Sequence, residues 1–214
     1  HACPAGENIQ GWLFHAESGH YEQAWRLLTE ENPLPAVMGR VCYHPCETSC
    51  NRGHLDQVVG INAIERFLGD EALRLGWKFD APKTSTGKKV LVVGAGPSGL
   101  AAAYHLARFG HSVTIREAGP VAGGMMRFGI PKYRLPREVL DAEVQRILDL
   151  GVRLELGSKV SNVLQAKTEG GFDAVFLAVG AHIAKRAYIP AGSAAKMLDA
   201  VSVLRSMEDG EKPL

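Results

Sequence analysis

Apolar and polar positions follow two different rhythms along the chain. Asn8–Glu17 and Tyr21–Glu30 carry apolar residues at helical spacing, with Gly19 between them, and Asn32–Pro35 breaks the pattern with two prolines. Val59–Leu75 resumes the helical spacing, and residues 1–80 show no strand-like alternation. From Lys89 the rhythm changes. Lys89–Val93 is a short β-branched run of the kind that forms a buried strand. Leu100–Phe109 is an alanine-rich helical stretch ended by Gly110, and Ser112–Arg116 reads as a second strand. Arg137–Leu150 predicts an amphipathic helix with Leu140, Val144, Ile147 and Leu148 on one face, and Val152–Leu156 predicts a strand. Phe172–Val179 is almost continuously apolar and ends at Gly180, the form of a central parallel strand. The tail, residues 191–214, carries one short helical stretch, Leu198–Met207. Ala81–Gly87 reads as a linker, so residues 1–84 are expected to form a helical domain and residues 85–214 an α/β domain.

The turn between the first strand and its helix carries the clearest chemistry. Gly94, Gly96 and Gly99 stand at G-x-G-x-x-G spacing, and Glu117 follows 18 residues after Gly99 at the end of the second strand. This is the order a dinucleotide-binding Rossmann unit requires. Gly94 permits a tight turn, Gly96 lets the backbone approach a pyrophosphate, and Gly99 lets the helix pack on the strand. Pro97 suits the first helical turn. The helix N-terminus offers free N–H groups and the positive end of its dipole to phosphates, and Glu117 can accept ribose hydroxyls. Arg116 reads as a solvated strand residue rather than a 2′-phosphate partner. Residues 119–136 form a glycine-rich, proline-bracketed loop able to lie along a planar ligand. In it Gly123 and Gly124 allow close approach, and Arg127, Lys132 and Arg134 are placed to meet phosphates.

All four cysteines fall in the first quarter of the chain. Cys42, Cys46 and Cys50 form C-x3-C-x3-C within residues 39–51, and Cys3 precedes Pro4. Thiolates at such spacing beside a cofactor domain point to metal or redox use rather than to a disulfide framework. From spacing alone three readings stay open: a [4Fe–4S] cluster, a zinc ion with His44 or His54 as fourth ligand, and a set of buried free thiols. The remaining histidines, among them His15, His20, His105, His111 and His182, show no ligand-like arrangement.

Bulk properties exclude several classes. The 214 residues are 46% hydrophobic and 22% charged, with a net charge of +1. That balance gives no electrostatic case for nucleic acid or an acidic membrane surface, and no apolar run approaches a membrane span.

Four passages together resemble the beta (small) subunit family of glutamate synthase, and also the N-terminal part of dihydropyrimidine dehydrogenase. They are ACPAGENIQGW; NPLPAVMGRVCYHPCETSC with INAIERF; VLVVGAGPSGLAAAYHLARFGHSVTIREA; and GGMMRFGIPKYRLPREVLDAEV with FDAVFLAVGA. The resemblance implies a cytoplasmic NAD(P)H-dependent oxidoreductase that passes electrons through FAD to [4Fe–4S] clusters and on to a partner subunit. It implies an α/β fold with an N-terminal all-α iron–sulfur domain ahead of an incomplete Rossmann-like FAD domain. By resemblance, Gly94, Ala95, Gly96, Pro97, Ser98 and Gly99 hold the FAD pyrophosphate and Glu117 the adenosine ribose. Gly124, Met125 and Arg134 lie close to FAD, Val160 near the adenine, and Gly180 closes over the cofactor. Cys3, Cys42 and Cys46 match ligands of one cluster, with Glu65 at a position where relatives can supply a non-cysteine fourth ligand. Cys50 matches the last ligand of a second cluster.

The chain departs from that pattern at both ends. It is expected to be a fragment that lacks three ligands of the Cys50 cluster and the nicotinamide-binding domain. Weakened FAD binding and no unaided NAD(P)H oxidation are expected in consequence. Two rival classes remain: a non-catalytic zinc-stabilised adaptor with a nucleotide-sensing Rossmann half, and a dehydrogenase using NAD directly at Gly94–Gly99. A colourless zinc protein would favour the first. Tight FAD retention without NAD binding would exclude the second.

Overall fold

The computed structural model describes residues 2–82, 84–181 and 198–208. The described residues up to 82 hold helices and turns only. These are α1 (Ile9–Glu17), α2 (Tyr21–Leu28), α3 (Pro35–Val41), α4 (Pro45–Thr48), a 3-10 turn at Asn51–His54, and α5 (Ile61–Leu75). Asn8 caps α1 by accepting the Gly11 N–H at 3.0 Å, and Gly76 ends α5 in the left-handed region. The Asn32–Pro35 break is followed directly by a helix that the pattern did not predict. Pro35 occupies the first turn of α3, where a missing N–H costs nothing, and Pro45 does the same for α4. The cysteine segment expected as a loop is therefore two short helices joined at Cys42–His44.

The second half follows the strand–helix rhythm: β1 (Lys89–Val93), α6 (Pro97–Arg108), β2 (Ser112–Arg116), α7 (Met125–Phe128), α8 (Arg137–Leu148), β3 (Arg153–Glu155), α9 (Val163–Gly170), β4 (Ala174–Leu177) and α10 (Ala200–Glu208). The four strands form one parallel sheet in the order β3-β2-β1-β4. Here one expectation is corrected. The apolar run at 172–179 forms an edge strand among the described residues, not a central one, and Phe176 and Leu177 are exposed. The run is apolar because both faces of the strand suit burial, but only β1 pairs with it here. α9 was not foreseen, since its polar stretch buries only Ala166. His182, Lys83 of the linker, and residues 191–197 and 209–214 of the tail lie outside the described residues.

The two halves share one interior. Leu34, Ala36 and Val37 join the core built from β1, α6, β2 and α8, whereas Trp12, Trp25, Leu28 and Leu68 form a second core among α1, α2 and α5. Phe79 bridges them, stacked on Trp25 with ring centroids 5.3 Å apart and tilted against Tyr104 at 4.6 Å. The Tyr104 hydroxyl on α6 donates to Thr29 O at 2.5 Å, and Arg108 donates to Glu30 O at 2.7 Å. The linker is pinned as well: Thr86 N–H donates to Gly110 O at 3.0 Å.

Candidate functional site

The glycine turn takes the form its residue types predict. Gly94 has φ +107, and a Cβ there would meet the Ala178 carbonyl oxygen; a Cβ on Gly99 would run into the Gly94 carbonyl oxygen. Gly96 caps α6 without any side-chain hydrogen bond, and its own absent Cβ would meet only Gly124 Cα, at 3.8 Å. The first intrahelical bond runs from Leu100 N–H to Gly96 O at 2.9 Å, so the N–H groups of Ser98 and Gly99 lie ahead of the helix's own bonding. Gly124, at φ +50, faces the turn so closely that a Cβ would stand 2.7 Å from Gly96 Cα. The loop is tied to the turn by Gly123 N–H donating to Ala95 O at 2.8 Å. The result is a backbone-lined cradle open at Gly96, which fits a pyrophosphate on chemical grounds.

Glu117 sits beside this cradle in a role the pattern did not reveal. One carboxylate oxygen accepts Ala95 N–H at 2.7 Å, and the other accepts Gly119 N–H at 2.8 Å. It thus braces the turn from the end of β2 and keeps further lone pairs for a ligand. Arg116 is neutralised by Glu155 at 2.9 Å. Met125 and Arg134 are exposed at the mouth of the loop. Val160 packs against the cluster of Leu91, Val93 and Ala166, the last on α9, and Gly180 follows β4 at φ +71.

The loop's cations are less free than their sequence suggests. Arg127 is buried, pairs with Asp141 and donates to Ala122 O at 2.6 Å. Glu208 of α10 collects Arg137 at 2.9 Å, Lys132 at 3.6 Å and Arg127 at 3.8 Å. Arg137 also donates to the carbonyls of Arg127, Ile130 and Leu135, at 2.6 to 2.9 Å. Arg127 and Lys132 therefore shape the loop, and Arg134 stays exposed.

On the helical side, Cys42 caps the end of α3, its N–H donating to Met38 O at 2.8 Å, and Cys46 lies in α4. Cys3, Cys42 and Cys46 stand close enough for their charges to interact, with Glu65 of α5 acting on Cys42. Burial, above all, raises the thiol pKa of Cys42 and Cys46. Cys50 stands apart. Backbone N–H groups of Val59, then Arg52, with Gly53, lower its pKa; Arg52 and Val59 also line an open hollow of about 570 Å³ with Asp56 and Gln57. Cys50 therefore differs from Cys42 and Cys46, whose thiols burial shifts upward.

Glu65 is buried and accepts Asn32 Nδ2–H at 2.9 Å; the same amide donates to Glu7 at 3.1 Å. Burial first, then the charge of Glu7, pushes Glu65 up to about 8. Among the described residues no three His, Cys, Asp or Glu side chains converge tightly enough to share one ion. The zinc reading has no support in this geometry. His44, strained at φ +44, turns its ring to Cys42 O at 3.2 Å and to Glu47 at 3.4 Å instead of into the thiol group. A four-iron cluster takes soft thiolates, and Cys3, Cys42 and Cys46 are thiols whose charges interact.

Two residues that frame this site carried no obvious sequence signal. A Cβ on Gly39 would strike the backbone of Arg66, 2.5 Å from its Cα, and one on Gly69 would strike Ala36 N. α3 and α5, which carry Cys42 and Glu65, therefore cross backbone to backbone. Isolated glycines inside helical stretches are the signal that would have found them.

Comparison with known proteins finds two family matches along the chain. Residues 1–77 match the family described as dihydropyrimidine dehydrogenase domain II, 4Fe-4S cluster, and residues 92–166 match the NAD(P)-binding Rossmann-like domain. Both are families of domains, one carrying an iron–sulfur cluster and one binding a nucleotide, and several curated relatives are named as subunits of NAD(P)-linked oxidoreductases. The chain is 39% identical over 207 residues to the NADP(+)-dependent formate dehydrogenase subunit beta of Moorella thermoacetica, covering 86% of this chain and 29% of that one. It is 37% identical over 188 residues to the glutamate synthase [NADPH] small chain of Escherichia coli, covering 86% and 40%. It is 35% identical over 182 residues to the NAD-dependent dihydropyrimidine dehydrogenase subunit PreT of Salmonella typhimurium, covering 84% and 44%. The chain is a relative of the glutamate synthase small-chain family, and it spans less than half the length of these three relatives. Among the described residues no helix is long and apolar enough to cross a membrane.

Proposed function

We propose that this chain is the iron–sulfur and flavin-binding portion of an electron-transfer oxidoreductase, in which reducing equivalents from NAD(P)H pass through FAD to a [4Fe–4S] centre and on to a partner subunit. One observation carries the reading: the cradle at Gly94–Gly99 and the thiol group at Cys3, Cys42 and Cys46 belong to one packed body with a shared core. When bound, the flavin and cluster supply the redox chemistry, exchanging electron pairs for single electrons. The chain's own residues bind, orient and insulate.

In this reading residues 1–84 form the cluster domain and residues 85–214 the first part of the FAD domain. Gly94, Ala95, Gly96, Pro97, Ser98 and Gly99 receive the pyrophosphate on backbone N–H groups. Glu117 offers its remaining lone pairs to the adenosine ribose. Gly124, Met125 and Arg134 lie close to the FAD, Val160 near its adenine, and Gly180 closes over it. Cys3, Cys42 and Cys46, with Glu65, hold one cluster, and Cys50 contributes to a second. No side chain is assigned as a general acid or base. The partner is an electron-accepting subunit, and the relatives' names, which include subunits of formate dehydrogenase and glutamate synthase, support that class.

The test is an anaerobic absorption spectrum of the purified protein, with flavin, iron, sulfide and zinc measured on the same sample. Flavin bands with iron and sulfide are expected. Zinc without flavin would overturn the reading, and binding of NAD in place of FAD at the cradle would convert it to a direct dehydrogenase.

A further inference from the structure

The apolar stripe of α8 contains one residue that does not belong to it chemically. Leu140, Val144 and Ile147 face the core, and Glu143 lies among them with 0% exposure. A carboxylate so placed is unfavourable unless it is bonded. It is bonded to the other half of the molecule: Oε1 accepts Ala36 N–H at 3.0 Å and Oε2 accepts Val37 N–H at 2.9 Å. These are first-turn donors of α3, which have no partner within their own helix. Arg146, one turn further along α8, stands 3.6 Å from Glu143 and lies over the rings of Trp25 and Phe79, at 5.2 and 5.8 Å, so the countercharge is wedged into the same interface.

Both ends of this contact lead to a candidate cofactor group. On one side α3 is only seven residues long and ends at Cys42. The Ala36 peptide is gripped twice, by Glu143 and by the gap at Gly69 of α5, the helix that carries Glu65. On the other side α8 begins at Arg137, whose guanidinium gathers the carbonyls of Arg127, Ile130 and Leu135 in the loop that faces Gly96. A continuous hydrogen-bonded path therefore runs from the loop through Arg137, α8 and Glu143 to α3 and Cys42.

We propose that Glu143 is a positioning residue that fixes the separation between the flavin-facing loop and the cysteine site. This inference rests on the electron-transfer reading above, because electron tunnelling weakens steeply with distance and a relay needs that separation held. Leu at this position fills similar volume but leaves two buried N–H groups unpaired. Gln keeps the length and one acceptor oxygen, so it can hold one of the two N–H groups and turns its amide NH2 to the other.

The experiment compares the whole chain with Glu143→Leu and Glu143→Gln, each reconstituted anaerobically with FAD, iron and sulfide. The first readout needs no cofactor. Hydrogen exchange is expected to lose protection by about tenfold or more at both the Ala36 and Val37 amides in the Leu variant and at one of the two in the Gln variant. The second readout is the rate of cluster bleaching after photochemical reduction of the flavin. It is expected to fall in the Leu variant at unchanged flavin content, iron content and cluster potential. Unchanged exchange at both amides overturns the grip, and lost protection with an unchanged rate overturns the positioning role. A wild-type protein that retains neither flavin nor iron overturns the electron-transfer reading and the positioning role with it, while the exchange data still report whether the grip exists.

Discussion

The carboxylate of Glu117, at the end of β2, accepts the N–H of Ala95 at 2.7 Å from inside the glycine turn. The acid expected to meet a ribose is therefore already part of the turn's own bonding, together with its bond from Gly119 N–H. Glu117→Ala should destabilise the protein by about 1–3 kcal/mol even without nucleotide, since two backbone donors lose a charged acceptor. Urea unfolding of the flavin-free protein measures this. Unchanged stability would reduce Glu117 to a ligand contact alone.

Gly96 and Gly99 should separate folding from binding. A Cβ on Gly96 meets only Gly124 Cα at 3.8 Å, whereas one on Gly99 collides with the Gly94 carbonyl oxygen. Gly99→Ala is expected to lower stability by about 1–3 kcal/mol, the usual scale of overpacking. Gly96→Ala is expected to keep its thermal midpoint and lose FAD, because the added methyl occupies the approach to the pyrophosphate. Retention of FAD by the Gly96 variant would place the phosphates elsewhere.

Gly69→Ala should open the α3–α5 crossing. Its Cβ would press on Ala36 N and on the Pro35 carbonyl carbon at 2.8 Å, moving the helix that presents Cys42 away from Glu65. A loss of about 1–3 kcal/mol and of iron uptake in anaerobic reconstitution are expected together. Normal iron uptake would show that Glu65 and Cys42 need not be held in this register.

Glu143 gives the stability a defined pH dependence. Burial, offset by the Ala36 and Val37 N–H groups and by Arg146 and Arg40, pushes its pKa from 4.5 up to about 7; Glu65 is the nearby like charge. Because the folded value lies above the unfolded one, the unfolded chain ionises first as pH rises. The contribution is complete below about pH 4.5 and is lost progressively up to about pH 7, on the order of 3 kcal/mol in all. Glu143→Gln lacks this loss, so its stability relative to wild type should climb across that window in parallel denaturation series. A flat difference would mean that Glu143 is ionised throughout.

Glu208 should hold the loop shut. It pairs with Arg137, Lys132 and Arg127, and Tyr133 beside Lys132 is 89% exposed. Glu208→Ala is expected to speed tryptic cleavage after Lys132 or Arg134 by about tenfold, the ratio set by losing one charged, partly buried bond. Equal cleavage rates would assign the loop's order to Arg137 alone.

The elements defined by short-range pattern were legible from the sequence. β1 and β2 occupy the spans their β-branched runs predict, and the glycines adopt the turn their spacing requires. The helical spacing located α1, α2, α5 and α8 to within a few residues. Each of these depends on residues near one another in the chain, where periodicity and turn chemistry act. The cysteines were only half legible: their spacing pointed to metal or redox chemistry but could not tell that burial would shift the Cys42 and Cys46 thiols upward and leave Cys50 exposed to backbone N–H groups.

What the tertiary structure decided involves partners far apart in sequence. That residues 39–41, expected in a loop, end a helix follows from Gly69 receiving the backbone of that helix and Glu143 accepting its first N–H groups. That β4 lies at the sheet edge follows from its pairing with β1 alone among the described residues, which its apolar composition cannot express. That Arg127 and Lys132 shape the loop instead of waiting for phosphate follows from Asp141 and from Glu208, more than seventy residues further along the chain. A charge or a glycine in the sequence states what a position can do. Which of its options is used depends on the burial and the partner that only the folded chain supplies.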